Sequence, residues 1–348
     1  MVHLYDLDFP VLEALLAGWG ESRSHARTIW RALYRECVAD VVQIVTLPEG
    51  VRARLSAKTS LALPVLLASQ ESPDGAARKD LLQLADGAQI EVVLMRYRHR
   101  YSACISTQVG CACGCTFCAT GQMGFVRHMT SGEIVAQVLH LQRALIAQGQ
   151  SLSNFVLMGM GEPLLNYDNT LAAIRRLCDP RGMGFVERRV TLSTAGIVPG
   201  IDRLAEEGLR INLAVSLHAA TDEVRSALMP INRRYPLGDL FAALKRYTDR
   251  VRRRVMLEWV LIGGITDTPE QVAALVARLA DIPAHVNLIQ LNPTPDFAAQ
   301  LSTPEAVAAF MDALDRAGIP HTMRQRRGLT LAAGCGQLRQ HTMSPGIR

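Results

Sequence analysis

Residues 111–118 are Cys-Ala-Cys-Gly-Cys-Thr-Phe-Cys, and an extended segment at residues 101–107 comes just before them. Cys111, Cys115 and Cys118 form a CxxxCxxC pattern with an aromatic residue directly before the last thiol. Three thiolates at this spacing predict a [4Fe–4S] cluster in which one iron has no protein ligand and can bind a substrate or cofactor. The pattern therefore predicts radical chemistry on a loop that follows a strand.

A structural zinc site is the alternative interpretation, with Cys104 and Cys113 joining the three cysteines. Zinc sites favour two CxxC or CxxH pairs separated by a dozen or more residues, and the sequence has no second pair. The spacing favours the cluster. Eight cysteines in 348 residues are also too few and too bunched for a disulfide scaffold, and residues 1–10 do not resemble a signal peptide. We expect a cytosolic, reduced protein with no membrane segment.

Apolar extended segments alternate with helix-length segments after the cysteine loop. The expected strands are residues 90–94, 101–107, 154–158, 189–193, 211–217, 255–262 and 286–291. This alternation predicts parallel strands with right-handed crossovers, and so an α/β fold that is a barrel or an open part of one. A capping box at residues 130–133 predicts that a helix begins at Ser131.

The first part of the chain has a different pattern. Apolar residues at helical spacing, among them Leu12, Leu16 and Trp19, indicate short helices over residues 8–70. We therefore expect a small helical domain at residues 1–80. The α/β domain then covers residues 81–348 and includes a C-terminal segment around Cys335.

Polar residues follow several of the expected strands, where α/β barrels carry their chemistry. Gly159 and Gly161 would let the backbone approach a ligand closely, and Glu162 offers a carboxylate to an amine. Comparable loops contain Ser193, residues 216–218 and Asn292. These loops are expected to surround one mouth of the barrel, together with the cysteines.

Arginine dominates the positive charge of this chain. Of 37 basic residues only Lys58, Lys79 and Lys245 are lysines, and the net charge is +5. Clusters at residues 96–101, 233–234, 250–254 and 324–327 could converge on one nucleic-acid-binding face, because guanidinium groups bind phosphate and stack on bases. A GC-rich genome would give the same arginine bias, and a solvated surface explains any single cluster equally well.

Three motifs occur together: Cys-Ile-Ser-Thr-Gln-Val-Gly-Cys at 104–111, Gly-Met-Gly-Glu-Pro-Leu-Leu-Asn at 159–166, and Ala-Gly-Cys-Gly-Gln-Leu at 333–338. The set resembles the RlmN/Cfr family of radical S-adenosylmethionine (SAM) adenine methyltransferases, which act on 23S ribosomal RNA. The resemblance covers nearly the whole chain and implies a partial (β/α)6 radical SAM barrel with a small helical N-terminal domain that helps to grip the RNA.

The resemblance also implies roles for individual residues. Cys111, Cys115 and Cys118 would hold the [4Fe–4S] cluster, and SAM would be bound by Gly161, Glu162, Ser193, Ser216, Leu217, His218 and Asn292. Cys335 would carry the methyl group, Cys104 would be its partner, and Glu91 would be the proton acceptor.

In the implied mechanism, one SAM methylates Cys335 and a second is cleaved to a radical that takes a hydrogen from the new methyl group. The methylene radical adds to the adenine ring, and Cys104 then releases the product by forming a disulfide with Cys335. Methylation at C2 of an adenosine in 23S ribosomal RNA is the leading expectation, and a transfer RNA adenosine is a second candidate substrate. The enzyme would be a monomer reduced by a flavodoxin-like protein.

Two other functions remain open at this point. One is methylation at C8 of the same nucleotide, and the other is a non-catalytic RNA-binding protein with a structural metal. The sequence also departs from the family, which usually has acidic residues before the catalytic cysteine, because this chain has Gly-Leu-Thr-Leu at residues 328–331.

Overall fold

The computed structural model describes residues 1–292, 294, 296–324, 334 and 336–338. In this part of the chain the strands are β1 (Val2–His3), β2 (Thr59–Ser60), β3 (Val65–Glu71), β4 (Ala77–Gln83), β5 (Gln89–Tyr97), β6 (Arg100–Cys104), β7 (Gln108–Gly110), β8 (Phe125–His128), β9 (Leu152–Leu157), β10 (Val190–Thr194), β11 (Asn212–Ser216), β12 (Val255–Leu261), β13 (Ala284–Gln290) and β14 (His321–Met323). The helices are α1 (Phe9–Ala17), α2 (Arg23–Tyr34), α3 (Glu49–Lys58), α4 (Ala119–Gln122), α5 (Ser131–Ile146), α6 (Tyr167–Cys178), α7 (Val198–Glu206), α8 (Asp222–Leu228), α9 (Leu237–Val251), α10 (Pro269–Arg278) and α11 (Pro304–Arg316).

One ten-stranded sheet organises the chain, in the order β14-β13-β12-β11-β10-β9-β6-β5-β4-β3. All neighbours from β6 through β9 to β14 are parallel, whereas β3, β4, β5 and β6 pair in antiparallel fashion. The predicted α/β class with a parallel barrel-type sheet is confirmed. The C-terminal ends of the parallel strands consequently lie along one side of the sheet, as the location of the chemistry requires.

The strands form because their side chains suit a sheet that is covered on both faces. In β12, for example, the sequence Val-Met-Leu-Glu-Trp-Val-Leu is buried at all but one position. Parallel sheets of this type read as nearly continuous apolar segments. This explains why the sequence pattern located β9 to β13 to within two residues at their ends.

The predicted helix after the cysteine loop is also confirmed. Thr130 is the N-cap of α5, and its Oγ1 accepts a hydrogen bond from the Glu133 N–H at 3.1 Å. In return the Glu133 carboxylate accepts from the Thr130 N–H at 2.9 Å. This reciprocal pair fixes where the chain leaves the loop and begins the helix.

The N-terminal helices end earlier than the sequence pattern predicted. The last of them, α3, ends at Lys58, and β3 and β4 then form a hairpin that belongs to the main sheet. The predicted domain boundary after residue 80 therefore falls inside a strand. The turn at residues 72–75, Ser-Pro-Asp-Gly, is the local signal for this hairpin: Gly75 has φ +63°, and the Asp74 carboxylate accepts from the Ala76 N–H at 3.0 Å.

Arginines of the α/β part hold the N-terminal segment in place. Arg143 of α5 donates from Nε to the Cys37 carbonyl at 2.8 Å, and the buried Arg176 of α6 donates to the Tyr5 carbonyl at 2.5 Å. Asp6 accepts from the Gly132 N–H at 2.6 Å. The helical segment is thus fixed to the two helices that follow the cysteine loop and the next strand.

No helix among the described residues is both long and apolar enough to cross a bilayer.

Candidate active site

The three cysteines lie on a loop between β7 and β8, a small antiparallel pair that the sequence pattern did not reveal. The Cys111 N–H donates to the Gly124 carbonyl at 2.8 Å. Gly110, at φ +74°, has no room for a side chain, because a Cβ there would lie 2.0 Å from the same carbonyl oxygen. A Cβ on Gly121 would lie 2.8 Å from the Cys115 nitrogen. Glycines therefore let the chain fold tightly around the thiols.

A cavity of ≈ 160 Å³ brings most of the predicted site residues together. Its lining includes Cys111, Cys115, Cys118, Gly161, Glu162, Ser193, Ser216, His218 and Asn292. These residues come from the loops and strand ends on the C-terminal side of β6, β9, β10, β11 and β13. The expectation that the strand-end loops surround one mouth is confirmed for these residues.

The thiols have the chemistry expected for an iron–sulfur cluster. Burial, reinforced by repulsion from the neighbouring thiols, raises the pKa of Cys115, and burial also raises the pKa of Cys118. Thiolates at these positions therefore need a nearby cation, and iron ions supply one. Three soft sulfur ligands around a shared cavity fit a [4Fe–4S] cluster with one open iron.

The zinc alternative would need both Cys104 and Cys113 beside the three motif cysteines. Cys113 lies buried in the same loop, but Cys104 is in β6, opposite Val93 of β5, and is not among the residues described as lining this cavity.

Glu162 presents a buried carboxylate beside the cysteine loop. Its Oε2 accepts from the Ala195 N–H at 2.6 Å, and its Oε1 accepts from the Leu164 N–H at 2.9 Å. Burial raises the pKa of this carboxyl to about 7, although the two backbone hydrogen bonds oppose the shift. An ammonium group bound in the cavity would favour the charged form, so the site suits the amino end of an amino acid.

Gly159 and Gly161 are also required by the packing of the protein itself. A Cβ on Gly159 would lie 2.7 Å from the Ile105 carbonyl group, and one on Gly161, at φ +98°, would lie 2.5 Å from the Gln108 Cβ. Both glycines line the cavity, but the close approach that excludes a side chain is to the segment between β6 and β7. They therefore pack the Glu162 loop against the segment that leads to the cysteines.

His218 occupies a strained position with a defined ring tautomer. Its φ is +60°, a left-handed conformation that is uncommon for a residue with a side chain. Its Nδ1 accepts from the Val260 N–H at 3.0 Å, so the proton is on Nε2. Burial lowers the pKa of the ring to about 3. The neutral ring packs edge-on against Phe117, with centroids 4.9 Å apart, and can donate one hydrogen bond from Nε2.

Leu217 is not among the described residues that line the cavity, and its side chain is fully buried in the core. Its carbonyl accepts from Nε of Arg225 at 3.1 Å. Sequence reasoning missed Arg225, which is fully buried behind the cavity. It is an ordinary-looking residue within helix α8, and no local motif distinguishes it from the many exposed arginines.

A second cavity, of ≈ 900 Å³, lies along the interior of the barrel. It shares Met158, Glu258, Ile289, Asn292 and Arg324 with the first cavity, so the two meet inside the sheet. At the N-terminal ends of the parallel strands its rim includes Arg100, Ser153, Arg188, Arg189 and Asn212, together with Tyr97, which pairs with Arg100 at the end of β5. The volume is within the usual range for a ligand pocket.

The predicted arginine clusters separate in the structure. Arg100 reaches the large cavity and lies over the Tyr97 ring at 4.6 Å. Arg324 also reaches it, but its guanidinium is held by Glu258 at 2.9 Å. Arg233 and Arg234 follow α8, near the cysteine loop on the opposite side of the barrel. The described clusters therefore do not all converge on one face, while Arg326 and Arg327 lie outside the described residues.

The three predicted catalytic residues are not assembled in the described part of the chain. Glu91 is buried in β5, where its Oε1 lies 2.9 Å from Nζ of Lys79. It is not among the described residues that line either cavity. Cys335 lies outside the described residues. Its neighbours Gly334 and Gly336 are described, and the Gly336 carbonyl accepts from the Ala119 N–H at 2.7 Å, directly after the last cluster cysteine.

The parallel sheet, the three-thiol loop and the adjoining carboxylate define a radical SAM enzyme. In agreement, the family model for the Radical SAM superfamily matches residues 105–278. The chain is 49% identical to dual-specificity RNA methyltransferase RlmN 1 of Myxococcus xanthus, covering 97% of this chain and 94% of that protein. It is 46% identical to a probable RlmN of Chloroflexus aurantiacus, covering 96% of this chain and 92% of that protein. The crystal structure of a radical SAM methyltransferase from Sphaerobacter thermophilus superposes with a TM-score of 0.94 at 45% identity, covering 97% of this chain and 99% of that chain. The chain belongs to the RlmN family of radical SAM RNA methyltransferases, as its motifs predicted.

Proposed function

We propose that this methyltransferase acts on C2 of an adenosine in 23S ribosomal RNA and on an adenosine in transfer RNA. It would use two molecules of SAM per turnover and carry the methyl group on Cys335. The curated relatives are named as dual-specificity RNA methyltransferases, which supports two RNA substrates. We propose a cytoplasmic, monomeric enzyme that receives electrons from a flavodoxin-like protein.

The observation that carries the proposal is the junction of the two cavities. The smaller cavity contains the three thiols and Glu162, whereas the larger one has arginines at its rim and enough volume for a nucleotide. A base that enters the larger cavity would reach Met158, Ile289 and Asn292, which line both cavities. An enzyme that modifies a base in folded RNA has to move that base out of its stack and into such a pocket.

The residues around the smaller cavity have separate tasks in this proposal. Cys111, Cys115 and Cys118 would hold the cluster, and Glu162 would bind the ammonium group of SAM. His218 would donate from Nε2, while Ser193, Ser216 and Asn292 offer further hydrogen bonds. When bound, the cluster and SAM would supply the methyl group and the radical that adenine C2 needs, because this electron-poor carbon is a poor nucleophile.

The RNA would contact the rim of the larger cavity. Among the described residues, Arg100, Arg188 and Arg189 have no carboxylate within salt-bridge distance, and Glu258 is the one acidic residue in the lining. Glu258 is itself held by Arg324 and by the Asn287 amide at 2.8 Å. The rim is therefore positively charged and suits phosphate groups, and Tyr97 offers a ring on which a base can stack.

The proposed roles of Cys335 and Cys104 follow from the family motifs. The described residues beside Cys335 support the first role. A Cβ on Gly334 would lie 2.7 Å from the Asn292 amide, and Gly336 contacts the end of the cysteine loop. Cys104 would attack the sulfur of Cys335 to release the product, leaving a disulfide that cellular thiols reduce.

Glu91 remains the proposed proton acceptor, and its pairing with Lys79 gives the role a specific test. Glu91→Gln should stop product release while leaving SAM cleavage intact, so the covalent protein–RNA adduct should accumulate. Lys79→Gln removes the cation and keeps the carboxylate, and it should therefore still release product. Equal release by wild type and Glu91→Gln would remove Glu91 from the mechanism.

The regiochemistry is tested by complementing a strain that lacks this methylation and analysing digested ribosomal and transfer RNA by mass spectrometry. We expect 2-methyladenosine in both RNAs, and a Cys335→Ala variant should produce none. Only 8-methyladenosine would overturn the C2 assignment in favour of the C8 alternative. Anaerobic reconstitution tests the non-catalytic alternative, which predicts bound zinc and no deoxyadenosine.

A further inference from the structure

Arg225 is a fully buried cation that binds three carbonyl groups at the ends of two strands, β10 and β11. Its Nη2 donates to the Ala195 carbonyl at 2.7 Å and to the Ser216 carbonyl at 3.2 Å, and its Nε donates to the Leu217 carbonyl at 3.1 Å. Its Nη1 donates to Oδ1 of Asn232 at 2.8 Å. These carbonyls belong to the loops after β10 and β11, which also present Ser193, Ser216 and His218 to the smaller cavity.

The helix that carries Arg225 also holds the cysteine loop. The last residue of α8 is Leu228, and its carbonyl accepts from the Thr116 N–H at 2.9 Å and from the Thr116 hydroxyl at 3.3 Å. Ala195 and Leu228 pack in one buried cluster with Cys111, Cys113 and Cys115. Arg225 therefore binds a residue that packs in the same cluster as the thiols.

The charge of Arg225 has no direct counterion in the described part of the chain. All four of its acceptors are uncharged oxygens, and no carboxylate lies within 4.0 Å among the described residues. The nearest acidic link is indirect, because the Asn232 amide that accepts from Arg225 donates in turn to exposed Asp222 at 2.8 Å. Burying a cation without a paired anion is costly unless a negative group is nearby. Ala195, whose carbonyl Arg225 binds, packs in the same buried cluster as Cys115, so the cysteine loop can supply that negative group once it holds a cluster.

We infer that Arg225 is a positioning residue whose charge stabilises the reduced form of the iron–sulfur cluster, while its hydrogen bonds align the strand ends that bind SAM. A cluster held by three thiolates is negatively charged and becomes more so when it accepts an electron, so a fixed buried cation favours reduction. This inference depends on the cluster and not on the RNA substrate. Failure of the proposed RNA methylation would leave it intact.

The test uses the full chain with its cluster reconstituted anaerobically and a redox titration followed by electron paramagnetic resonance. Arg225→Gln removes the charge, and it should lower the equilibrium constant for one-electron reduction at least tenfold, which is 59 mV. Arg225→Lys keeps the charge but loses donors. The reduction potential of the cluster in Arg225→Lys should differ from the wild-type value by less than the shift in Arg225→Gln, while the affinity for SAM falls.

Asn232→Asp provides a second test if Arg225→Gln does not hold a cluster. It is made together with Asp222→Asn, because the Asn232 amide now donates to the Asp222 carboxylate at 2.8 Å and two carboxylates would otherwise face each other. The new carboxylate takes the Oδ1 position that already accepts from Arg225, so it should neutralise the charge and lower the potential. Arg246→Gln, an exposed arginine paired with Asp202, is the control and should leave the potential unchanged. A wild-type potential in Asn232→Asp/Asp222→Asn, or a decrease in Arg225→Lys as large as that in Arg225→Gln, would overturn the inference.

Discussion

The carboxylate of Glu162 and the backbone N–H of Ala195 are joined by a hydrogen bond of 2.6 Å, which ties the loop after β9 to the end of β10. The two loops therefore present their polar groups to the smaller cavity as one unit. Because Glu162 is almost fully buried, its charge is costly until a cation binds.

The pH dependence of stability should report this cost. Burial raises the pKa of Glu162 from 4.5 to about 7, so the folded protein binds more protons than the unfolded chain in this interval, and stability falls as pH rises through it. Glu162→Gln cannot titrate. Without cluster or SAM, the free energy of unfolding of the variant should rise relative to wild type by about 1.4 kcal/mol per pH unit across that interval.

Denaturant unfolding of both proteins at several pH values measures this difference. His218, whose pKa is lowered by burial, contributes a slope of the opposite sign, but it is present in both proteins and cancels. A difference between variant and wild type that does not change with pH would show that Glu162 titrates normally in the fold.

Gly161 should not tolerate a side chain. Gly161→Ala combines an unfavourable positive φ with a Cβ 2.5 Å from Gln108, and we expect a loss of about 3 kcal/mol in the free energy of unfolding. Gly87 has a closer φ of +87°, but a Cβ at that position would meet nothing within 4 Å, so Gly87→Ala should cost about 1 kcal/mol. Equal losses in urea unfolding would mean that backbone strain alone, and not packing against Gln108, requires the glycine.

The buried pair of Lys79 and Glu91 should show strong coupling. Lys79→Met leaves the Glu91 carboxylate buried without its ammonium, and we expect a loss of about 3 kcal/mol in the free energy of unfolding. The double variant Lys79→Met/Glu91→Leu removes both charges and should recover most of that loss. A double-mutant cycle measures the coupling, and additive effects would contradict a direct interaction.

RNA binding should depend on where arginines lie and not only on how many there are. Arg188 and Arg189 are at the rim of the larger cavity, and Arg233 and Arg234 form a second exposed Arg-Arg pair on the opposite side of the barrel. Replacing the first pair by Ala should weaken binding of an RNA stem-loop and lower the slope of log K against log salt by about 1 to 2. The same change at residues 233 and 234 should leave both quantities near their wild-type values, and equal weakening by the two variants would refute a specific rim.

Local patterns were sufficient for the elements whose signals lie within a few neighbouring residues. The capping box at Thr130 located the start of α5, and continuous apolar segments located β9 to β13, because hydrogen bonds and burial of this kind depend on adjacent side chains. The cysteine spacing similarly predicted the three thiols that line the smaller cavity. The sequence pattern does not predict the hairpin of β3 and β4, although the turn Ser-Pro-Asp-Gly is a local signal for it. The reason is that apolar residues at helical spacing predict helices as far as residue 70.

Only the packing of the chain could assign the roles of Arg225 and of the two glycines. Arg225 is buried, whereas many other arginines are exposed, because α8 contacts the ends of β10 and β11 on one side and the cysteine loop on the other. These segments are distant in sequence. Gly159 and Gly161 are needed because the segment after β6 crosses them, a contact that no local motif encodes. The thiol motif is recognisable because its ligands lie within eight consecutive residues. The burial of the Arg225 charge and the space around the two glycines depend instead on which distant segments the fold brings into contact.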